Sequence, residues 1–468
     1  MVNFFKYTDP LRIISLLFIL LILRIPFYLT DIPVTYQELE WMLIGEKLSA
    51  GFTLYKDVWT NLEPLSGTVY SFLTGIFGKS LSALRISGTI LVYLQAVFFN
   101  YMCNRMALYN EKSSFPGLFY ILFSCLFIDF YSLPPVLLSL TFILPAIYLT
   151  IIQVKFKTSD EGLLYLGVLI AVSSLFYFPN MILFPFFLFV LLLFTSLSFR
   201  KILLTSTGFL LPLSVLSLYH LFSDSFEELN HNLFLSFFAL PVTTYSSYTV
   251  FLIVAALPLL LLFIAFVVLN NRSGYINFQF NGIKSMLILL VGGTCTILIS
   301  RTISPSQLYI LVPIFAFFSA HIFLLATGKI LPKLFFWFTI LCIPALNGVF
   351  LNNYSSELRE SLYVGPVPAE YEAVITGKKI LVVGHDPGLY LNSSLATPYY
   401  NWSLAERHFG DFGNMKHLSA LYLNFKKDLP YVIIDRENKM EKIFFHIPIL
   451  EKEYQKSGKE PIYILKEK

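Results

Sequence analysis

Long apolar runs separated by short polar segments dominate the chain. About eleven runs are long enough to cross roughly 30 Å of hydrocarbon as helices, at about 1.5 Å per residue. Each run is expected to be helical, because lipid offers no partner for free backbone groups. The runs lie at 11–30, 83–106, 114–131, 135–154, 162–178, 180–198, 202–222, 247–270, 285–300, 305–326 and 334–351. The pattern predicts an all-α polytopic membrane protein with about 11 transmembrane helices.

The composition changes after the last apolar run. From Asn352 onward the sequence becomes mixed and charged. Strand-like runs lie at 378–384, 430–435 and 461–465, and a helix-like stretch lies at 414–427. The sequence therefore predicts a transmembrane domain at 1–351, with a long first loop at 31–82, and a small α/β domain at 352–468. Within that loop, the short apolar segment 64–77 predicts a helix that lies in the membrane–water interface on the outer side.

Composition and charge support this class and suggest an orientation. Hydrophobic residues make up 56% of the 468 residues and charged residues only 13%, too apolar a balance for a soluble domain. Basic residues concentrate in the loops on one side, which we assign to the cytoplasm: Lys6, Arg12, Arg105, Lys112, Lys155, Lys157, Arg200, Lys201, Arg272, Lys284, Lys329 and Lys333. The other side holds Lys47, Lys56, Lys79, Arg85 and Arg301. We expect a multi-pass protein, of a bacterial inner membrane, with its N-terminus in the cytoplasm and its C-terminal domain outside.

Net charge and cysteines exclude other classes. The formal charge is only +4 and the chain has no run rich in lysine and arginine, so nucleic acid is not an expected partner. The four cysteines fall in apolar segments without a CxxC spacing, and we interpret them as small core residues rather than disulfides or metal ligands.

The first loop carries most of the candidate chemistry. Acidic and aromatic residues are concentrated in three segments, Thr35-Tyr-Gln-Glu-Leu-Glu-Trp41, Gly51-Phe-Thr-Leu-Tyr-Lys-Asp57 and Asn61-Leu-Glu-Pro-Leu65. The acids of this loop are Asp31, Glu38, Glu40, Glu46, Asp57 and Glu63. Each of them taken singly is most simply explained as solvated surface. Together, near the membrane interface, they predict partly desolvated carboxylates able to act as bases.

The arrangement of this region resembles a known family. It is similar to the C-type integral-membrane glycosyltransferases in the order of its elements. These are one span, an acid pair with an aromatic, "G-x-x-x-Y-x-D", a proline-led helix, "F-G-x-S" and an arginine opening the next span. The elements are Gln37-Glu38-Leu-Glu-Trp41, Gly51 to Asp57, Glu63-Pro64-Leu65, Phe77-Gly-Lys-Ser80 and Arg85. The similarity covers mainly residues 12–106, and within the family it is nearest to the protein O-mannosyltransferase-like branch, which includes the aminoarabinose transferases of lipid A.

The resemblance implies a reaction and its partners. A sugar would pass from a polyprenyl-phosphate carrier to a lipid, glycan or protein acceptor on the outer face of the membrane. Glu38, Glu40 and, as a reserve, Asp129 are the catalytic candidates. Asp57, Glu63, Arg85 and Arg301 are the candidates for substrate binding, with the two arginines able to hold a carrier phosphate.

The sequence also departs from the family pattern. Members usually begin the motif with two adjacent acids, and this chain has Gln37 at the first position, where a glutamine cannot accept a proton as a base. The second outer loop lacks an acid directly before its proline, although Asp129 lies nearby. A second hypothesis is therefore a non-catalytic scaffold or partner subunit of an envelope assembly. A transporter is a third, but the spans show no symmetric halves.

Other polar residues have competing interpretations. Asp129, at the outer end of an apolar run, is either a functional acid or a helix-end acid that reaches water. Arg24 is expected to extend its side chain towards the interface. His220, Asp224, Glu227, Glu228 and His231 could bind a divalent cation, but their spacing matches no ligand pair and a solvated loop is the better interpretation. The cofactor is therefore unknown, and no metal ligands are assigned.

Overall fold

The structure, a computed structural model, describes most of the chain. It covers residues 2–7, 9–30, 32–156, 160–195, 198–235, 237, 243–270, 275–300, 302–325, 330–352, 362–396, 398–410, 413–457 and 461–466. Five residues named above lie outside these ranges: Asp31, Lys157, Arg272, Arg301 and Lys329. The chain forms two compact units. The first unit contains 1–32, 82–217 and 241–361, and the second contains 33–81, 218–240 and 362–468.

Helices dominate both halves of the sequence. The first ten are α1 (Val2–Phe5), α2 (Pro10–Tyr28), α3 (Tyr36–Ser49), α4 (Pro64–Phe77), α5 (Leu81–Met106), α6 (Phe115–Phe123), α7 (Pro135–Phe156), α8 (Asp160–Phe176), α9 (Leu183–Phe194) and α10 (Phe199–Phe222). They are followed by α11 (Phe226–Leu229), α12 (Tyr248–Asn270), α13 (Asn277–Ile299), α14 (Val312–Leu325), α15 (Ile330–Asn352), α16 (Ala369–Ile375), α17 (Trp402–Gly410), α18 (Met415–Lys427), α19 (Met440–His446) and α20 (Pro448–Glu453).

Strands and tight helical turns complete the described elements. The strands are β1 (Thr243–Thr244), β2 (Thr302–Ile303), β3 (Lys379–Val383), β4 (Ser394–Leu395), β5 (Val432–Asp435), β6 (Tyr454–Ser457) and β7 (Ile462–Leu465). The 3-10 turns are Ile128–Tyr131, Phe178–Ile182, Pro305–Leu311 and Pro387–Tyr390, and Asn230–Leu235 is a π-helical turn.

The predicted apolar runs all coincide with helical structure. Within the described residues, 8 helical segments are long and apolar enough to cross a membrane: α2, α5, α7, α10, α12, α13, Pro305–Leu324 and Lys333–Phe350. The other runs form shorter helices. Run 114–131 is divided between α6 and a 3-10 turn, α8 has 17 residues, and Phe178–Phe194 is a shorter apolar helix. The predicted all-α membrane architecture is confirmed.

Glycines allow close packing in the first unit. A Cβ on Gly88 of α5 would lie 2.2 Å from the carbonyl oxygen of Ser132. A Cβ on Gly167 of α8 would lie 2.1 Å from the carbonyl oxygen of Thr205, and one on Gly208 of α10 would meet the α8 backbone at 2.2 Å. Small residues at such contacts let helix backbones approach one another, a common means of association within membranes.

Arg24 is fully buried in α2. Its guanidinium donates to Thr89 Oγ1 at 3.0 Å, the Ser124 carbonyl at 3.0 Å, the Phe130 carbonyl at 2.9 Å and the Tyr309 hydroxyl at 3.2 Å. The expectation that this side chain extends to the interface was wrong. The broken segment after α6 turns carbonyl oxygens inward, and two of them accept hydrogen bonds from Arg24 Nη2 inside the protein. Arg24 therefore fastens several chain segments of the first unit to α2.

The second unit contains the predicted C-terminal sheet. Its strand order is β4-β3-β5-β7-β6, with β3 parallel to β4 and β5, and β7 antiparallel to β5 and β6. Strands β3, β5 and β7 and helix α18 form where the sequence predicted them, whereas β4 and β6 were not predicted. Four consecutive residues of β3 and all four of β5 are buried, as expected for parallel strands covered on both faces.

The first-loop helices α3 and α4 also belong to the second unit. They pack closely because Gly45 of α3 has no side chain: a Cβ there would lie 2.7 Å from the Tyr70 carbonyl oxygen of α4. The backbone N–H of Trp59 donates to the Pro398 carbonyl at 2.8 Å, and Val364 N–H donates to the Val34 carbonyl at 2.8 Å. The first loop and the C-terminal residues thus share hydrogen bonds within one compact unit. The predicted domain boundary at residue 352 stays a prediction.

Candidate active site

Glu38 takes part in a capping box at the start of α3. Thr35 Oγ1 accepts the Glu38 N–H at 3.1 Å, and Glu38 Oε2 accepts the Thr35 N–H at 3.0 Å. Only 2% of Glu38 is exposed. These reciprocal bonds satisfy backbone donors that the helix itself leaves without partners. One oxygen of this carboxylate therefore orders the N-terminus of α3, and a catalytic role for Glu38 stays a prediction.

Glu40 and Glu63 lie around one buried tyrosine. The ring of Trp41 stacks on Tyr70 with centroids 5.3 Å apart, and Glu40 Oε1 accepts the Thr60 hydroxyl at 3.1 Å. Glu63 is buried directly before the first residue of α4. Burial raises the pKa of the Tyr70 phenol well above its usual value, and the charges of Glu63 and then Glu40 raise it further. Both carboxylates therefore lie within electrostatic reach of the same hydroxyl.

A strained turn positions Glu63. Tyr55 has a φ of 65°, a left-handed conformation that is unfavourable for a bulky side chain. Its fully buried hydroxyl donates to the Leu62 carbonyl at 2.8 Å. Burial raises the pKa of Tyr55, and the charge of Glu63 adds to that effect. Glu63 thus acts electrostatically on both tyrosines, and this part of the second unit holds carboxylates in partly dry surroundings where they can accept a proton from a hydroxyl.

Asp57 orders the loop between α3 and α4. Its Oδ2 accepts the Thr53 N–H at 2.9 Å, and its Oδ1 accepts the Lys427 ammonium at 2.5 Å. The Asp57 side chain is 10% exposed, and the Lys427 side chain is 54% exposed. These contacts link the loop to α18, and the predicted substrate-binding role of Asp57 stays a prediction.

Asp129 is held inside the first unit. Its Oδ2 accepts the Ser306 N–H at 3.0 Å and the Ser304 hydroxyl, and only 3% of the residue is exposed. The carboxylate therefore caps the 3-10 turn Pro305–Leu311, where backbone N–H groups favour an anion. The alternative of a helix-end acid that reaches water is wrong. Its catalytic role as a reserve acid stays a prediction.

The arginine candidates are only partly described. Arg85 is partly buried at the start of α5, and its Nη1 lies 3.4 Å from the Ile32 carbonyl oxygen. Its own carbonyl accepts the Tyr28 hydroxyl at 3.1 Å. Arg301 lies outside the described residues. Binding of a carrier phosphate by either arginine stays a prediction.

An aromatic and basic cluster in the second unit was not predicted. The Arg407 guanidinium lies 4.4 Å from the Trp59 ring centroid, and the His408 ring lies 4.6 Å from it. His417 stacks on His408 at 4.9 Å, and the Tyr399 hydroxyl lies 3.3 Å from His408 Nδ1. Burial, aided by the positive charge of Arg407, lowers the pKa of His408 to about 3. Trp59 lies far in sequence from the other four residues, so no spacing could have indicated that they meet.

The segment 220–231 and the cysteines offer no ligand set among the described residues. His220 is 2% exposed, and its ring lies 5.6 Å from that of Tyr55, so the solvated-loop interpretation is wrong for this residue. Among the residues that the structure describes, no group of three or more His, Cys, Asp or Glu could hold a metal ion. Cys103 and Cys125 are buried free thiols.

The fold of this chain, with its helical membrane unit and a second unit with a five-stranded sheet, is similar to that of a solved C-type membrane glycosyltransferase, as the resemblance predicted. The crystal structure of ArnT from Cupriavidus metallidurans, bound to undecaprenyl phosphate, is similar to this chain with a TM-score of 0.53 and 11% sequence identity. The similarity covers 91% of this chain and 92% of the ArnT chain. No family model and no curated protein matches the sequence. The protein is an integral membrane protein with this fold.

Proposed function

We propose that the protein is a membrane glycosyltransferase that moves a sugar from a polyprenyl-phosphate carrier to an acceptor on the extracytoplasmic face. The observation that carries this proposal is the gathering of Glu40 and Glu63 around Tyr70, in a unit that also includes the C-terminal sheet. The similarity to ArnT, which was solved with undecaprenyl phosphate, supports a lipid carrier. The acceptor is a lipid, a glycan or a protein.

The proposed step is a direct displacement. Glu40 or Glu63 takes the proton of the acceptor hydroxyl as its oxygen attacks the anomeric carbon of the sugar. The bond from that carbon to the carrier phosphate breaks, and the carrier leaves as a lipid phosphate. Inversion at the anomeric carbon follows from a single displacement. Arg85 and Arg301 are the proposed partners of the phosphate, because a guanidinium can hold two of its oxygens.

Glu40 and Glu63 are stronger candidates for the base than Glu38. An oxygen of Glu38 already accepts two hydrogen bonds from Thr35, which hold it at the N-terminus of α3. Glu40 is only partly buried, and it accepts a hydrogen bond from the Thr60 hydroxyl, a group that can rearrange when an acceptor enters. Asp129 remains the proposed reserve.

The experiment separates the acids by single substitutions. We would prepare Glu38→Gln, Glu40→Gln and Glu63→Gln in lipid nanodiscs and measure sugar transfer from a panel of polyprenyl-phosphate sugars. Loss of a general base lowers the rate by about 100-fold to 10,000-fold, while binding of undecaprenyl phosphate persists. Exposed Glu406 of α17 provides the matched control, Glu406→Gln. Full activity in both Glu40→Gln and Glu63→Gln would exclude these two acids.

The non-catalytic scaffold stays the second candidate because of Gln37. This buried glutamine takes the place of an acid that the family pattern usually has. The scaffold hypothesis predicts that the wild-type protein binds undecaprenyl phosphate but transfers no sugar from any donor of the panel. Gain of transfer in Gln37→Glu would instead indicate a degenerate enzyme.

The orientation is part of the proposal. We place the N-terminus in the cytoplasm of a bacterial cell and the second unit outside its inner membrane, following the distribution of basic residues. Labelling of single cysteines introduced at exposed Lys112 and exposed Lys452 by a membrane-impermeant reagent tests this arrangement. Only the second position should react in intact spheroplasts.

A further inference from the structure

A cavity of about 200 Å³ lies beside the sheet of the second unit. It is lined by the C-terminal end of β5 and the turn that follows, by the start of β7 and by Tyr371 of α16. The polar groups that face it come from Tyr371, Asp435, Arg436 and Asn438. All of these residues lie in the C-terminal part of the chain, outside the Glu40 and Glu63 site.

The cavity lies beyond the carboxyl end of β5 and is lined on that strand and on β7, while β5 also borders a reversal of strand order. After β3 the chain forms β4 on one side of that strand, and it then returns to form β5 on the other side. The order reverses between β3 and β5, which are parallel. In open α/β sheets, ligands bind outside the carboxyl ends of the strands at such a reversal.

The turns beyond these strands are held against each other. Gly384, directly after β3, has a φ of 130°, and a Cβ there would lie 2.9 Å from Arg436 Cβ. Arg436 Nη2 donates to Asp386 Oδ2 at 3.0 Å, and Nη1 donates to the Tyr371 hydroxyl at 2.8 Å. The guanidinium also lies 4.8 Å from the Tyr371 ring centroid. The wall of the cavity is therefore fixed before any ligand enters.

The lining selects a neutral ligand rich in hydroxyl groups. A phosphate is disfavoured because carboxylates of Asp386 and Asp435 lie beside Arg436, the one cation among the described lining residues. A divalent cation is disfavoured because Asp435 is engaged by three backbone N–H groups, those of Glu437, Lys439 and Met440. What remains is a set of donors and acceptors next to an aromatic ring, which suits sugar hydroxyls.

We propose that this cavity binds one neutral sugar ring. Typical small-molecule sites measure about 300–1,000 Å³, so a cavity of about 200 Å³ suits a single ring rather than a longer oligosaccharide. In a glycosyltransferase the natural source of such a ring is a glycan acceptor held at a distance from the reacting hydroxyl. The binding itself does not depend on catalysis, so a non-catalytic protein would show it too.

The test uses the full chain in nanodiscs free of sugar-based detergent. Saturation-transfer NMR measures binding of the methyl glycosides of glucose, galactose, mannose and N-acetylglucosamine. Asn438 has a φ of 53°, so Asn438→Gly keeps the backbone conformation and removes the amide. Combined with Tyr371→Phe, it should weaken binding of the preferred sugar about tenfold. Exposed Gln455 of β6 gives the control Gln455→Ala, which should bind like the wild type.

Two further measurements distinguish this site from the proposed base and test the ligand class. Glu40→Gln should retain sugar binding even where it loses transfer, which separates this site from the proposed base. Displacement of the sugar by inorganic phosphate would show that the ligand class is wrong. Absence of binding for all four sugars, or equal binding in the double variant and the wild type, would overturn the proposal.

Discussion

Asp428 lies between two lysines of very different exposure, and its replacement by Asn tests how α3 is held. Lys47 of α3, with 6% of its side chain exposed, pairs with Asp428 Oδ2, and Lys379 of β3, 54% exposed, pairs with Oδ1 at 2.9 Å. The Asp428 side chain itself is 3% exposed. Asp428→Asn keeps the shape of the side chain but leaves the buried ammonium of Lys47 without a compensating charge.

The expected loss follows from burial. Breaking a buried pair by removing one partner costs about 3–5 kcal/mol. The contact with exposed Lys379 is worth about 0–1 kcal/mol, so Lys379→Met serves as the matched control. Because α3 also carries Glu40, we expect the proposed transfer activity of Asp428→Asn to fall together with its stability.

The pH dependence provides a signed check. Burial lowers the pKa of Lys47, and the attraction of Asp428 opposes that shift. Without Asp428 the pKa falls further. Between the lowered pKa and the unfolded value of about 10.4, the unfolded chain binds more protons, so the free energy of unfolding rises with pH. Raising the pH from about 7 to about 9.5 should therefore restore part of the stability of Asp428→Asn.

The assay is denaturant or thermal unfolding in detergent, followed by tryptophan fluorescence. Asp428→Asn should be less stable than the wild type by about 3 kcal/mol or more. A well-packed apolar pair, Lys47→Met with Asp428→Leu, should be more stable than the single variant, since it leaves no buried charge. A loss below about 1 kcal/mol in Asp428→Asn, or an equally unstable double variant, would refute the reasoning.

Three other predictions concern single positions. Glu38→Gln weakens the capping box and should cost about 0.5–2 kcal/mol in unfolding experiments, with transfer retained by the folded protein; a stable but inactive variant would instead favour a catalytic Glu38. Gly88→Ala places a Cβ against the Ser132 carbonyl and should lower stability by about 1–3 kcal/mol, whereas unchanged melting would mean that α5 can shift freely. His408 has a pKa of about 3 in the folded protein, below the unfolded value of about 6.5, so stability should fall by up to about 1.4 kcal/mol per pH unit as the pH drops through this window. His408→Gln should remove the share of this slope that His408 contributes, and exposed His446→Gln should leave the slope unchanged.

The sequence predicted elements whose cause is local. Membrane spans can be recognised in the sequence because a helix in lipid must be apolar along its whole length. The runs at 11–30 and 135–154 correspond closely to α2 and α7. The strands at 379–383 and 432–435 were predicted for a similar reason, since buried parallel strands are short continuous apolar runs. Helix α4 was indicated by its proline at the first position and by Gly78 just after its end.

Contacts between distant residues could not be predicted. The pairing of Lys47 with Asp428 joins positions 381 residues apart, and nothing in either neighbourhood indicates the partner. The burial of Arg24 depends on carbonyl groups of a broken segment whose path is set by tertiary packing. The convergence of Glu40 of α3 on Tyr70 of α4 likewise depends on how these two helices pack.

The first-loop acids show why a local explanation has to be considered before a catalytic one. Glu38 and Glu40 are two residues apart on α3, so their side chains point about 200° apart around the helix axis. Thr35 and Glu38 form the S/T-x-x-E signature of a capping box, and this pattern alone accounts for the buried carboxylate of Glu38. No such local pattern accounts for Glu40, which contacts Thr60 across the loop and acts on Tyr70. The catalytic proposal therefore depends on Glu40, whose position the helix does not itself require. Replacing Glu38 should lower stability and leave transfer intact, whereas replacing Glu40 should lower transfer and leave stability largely unchanged.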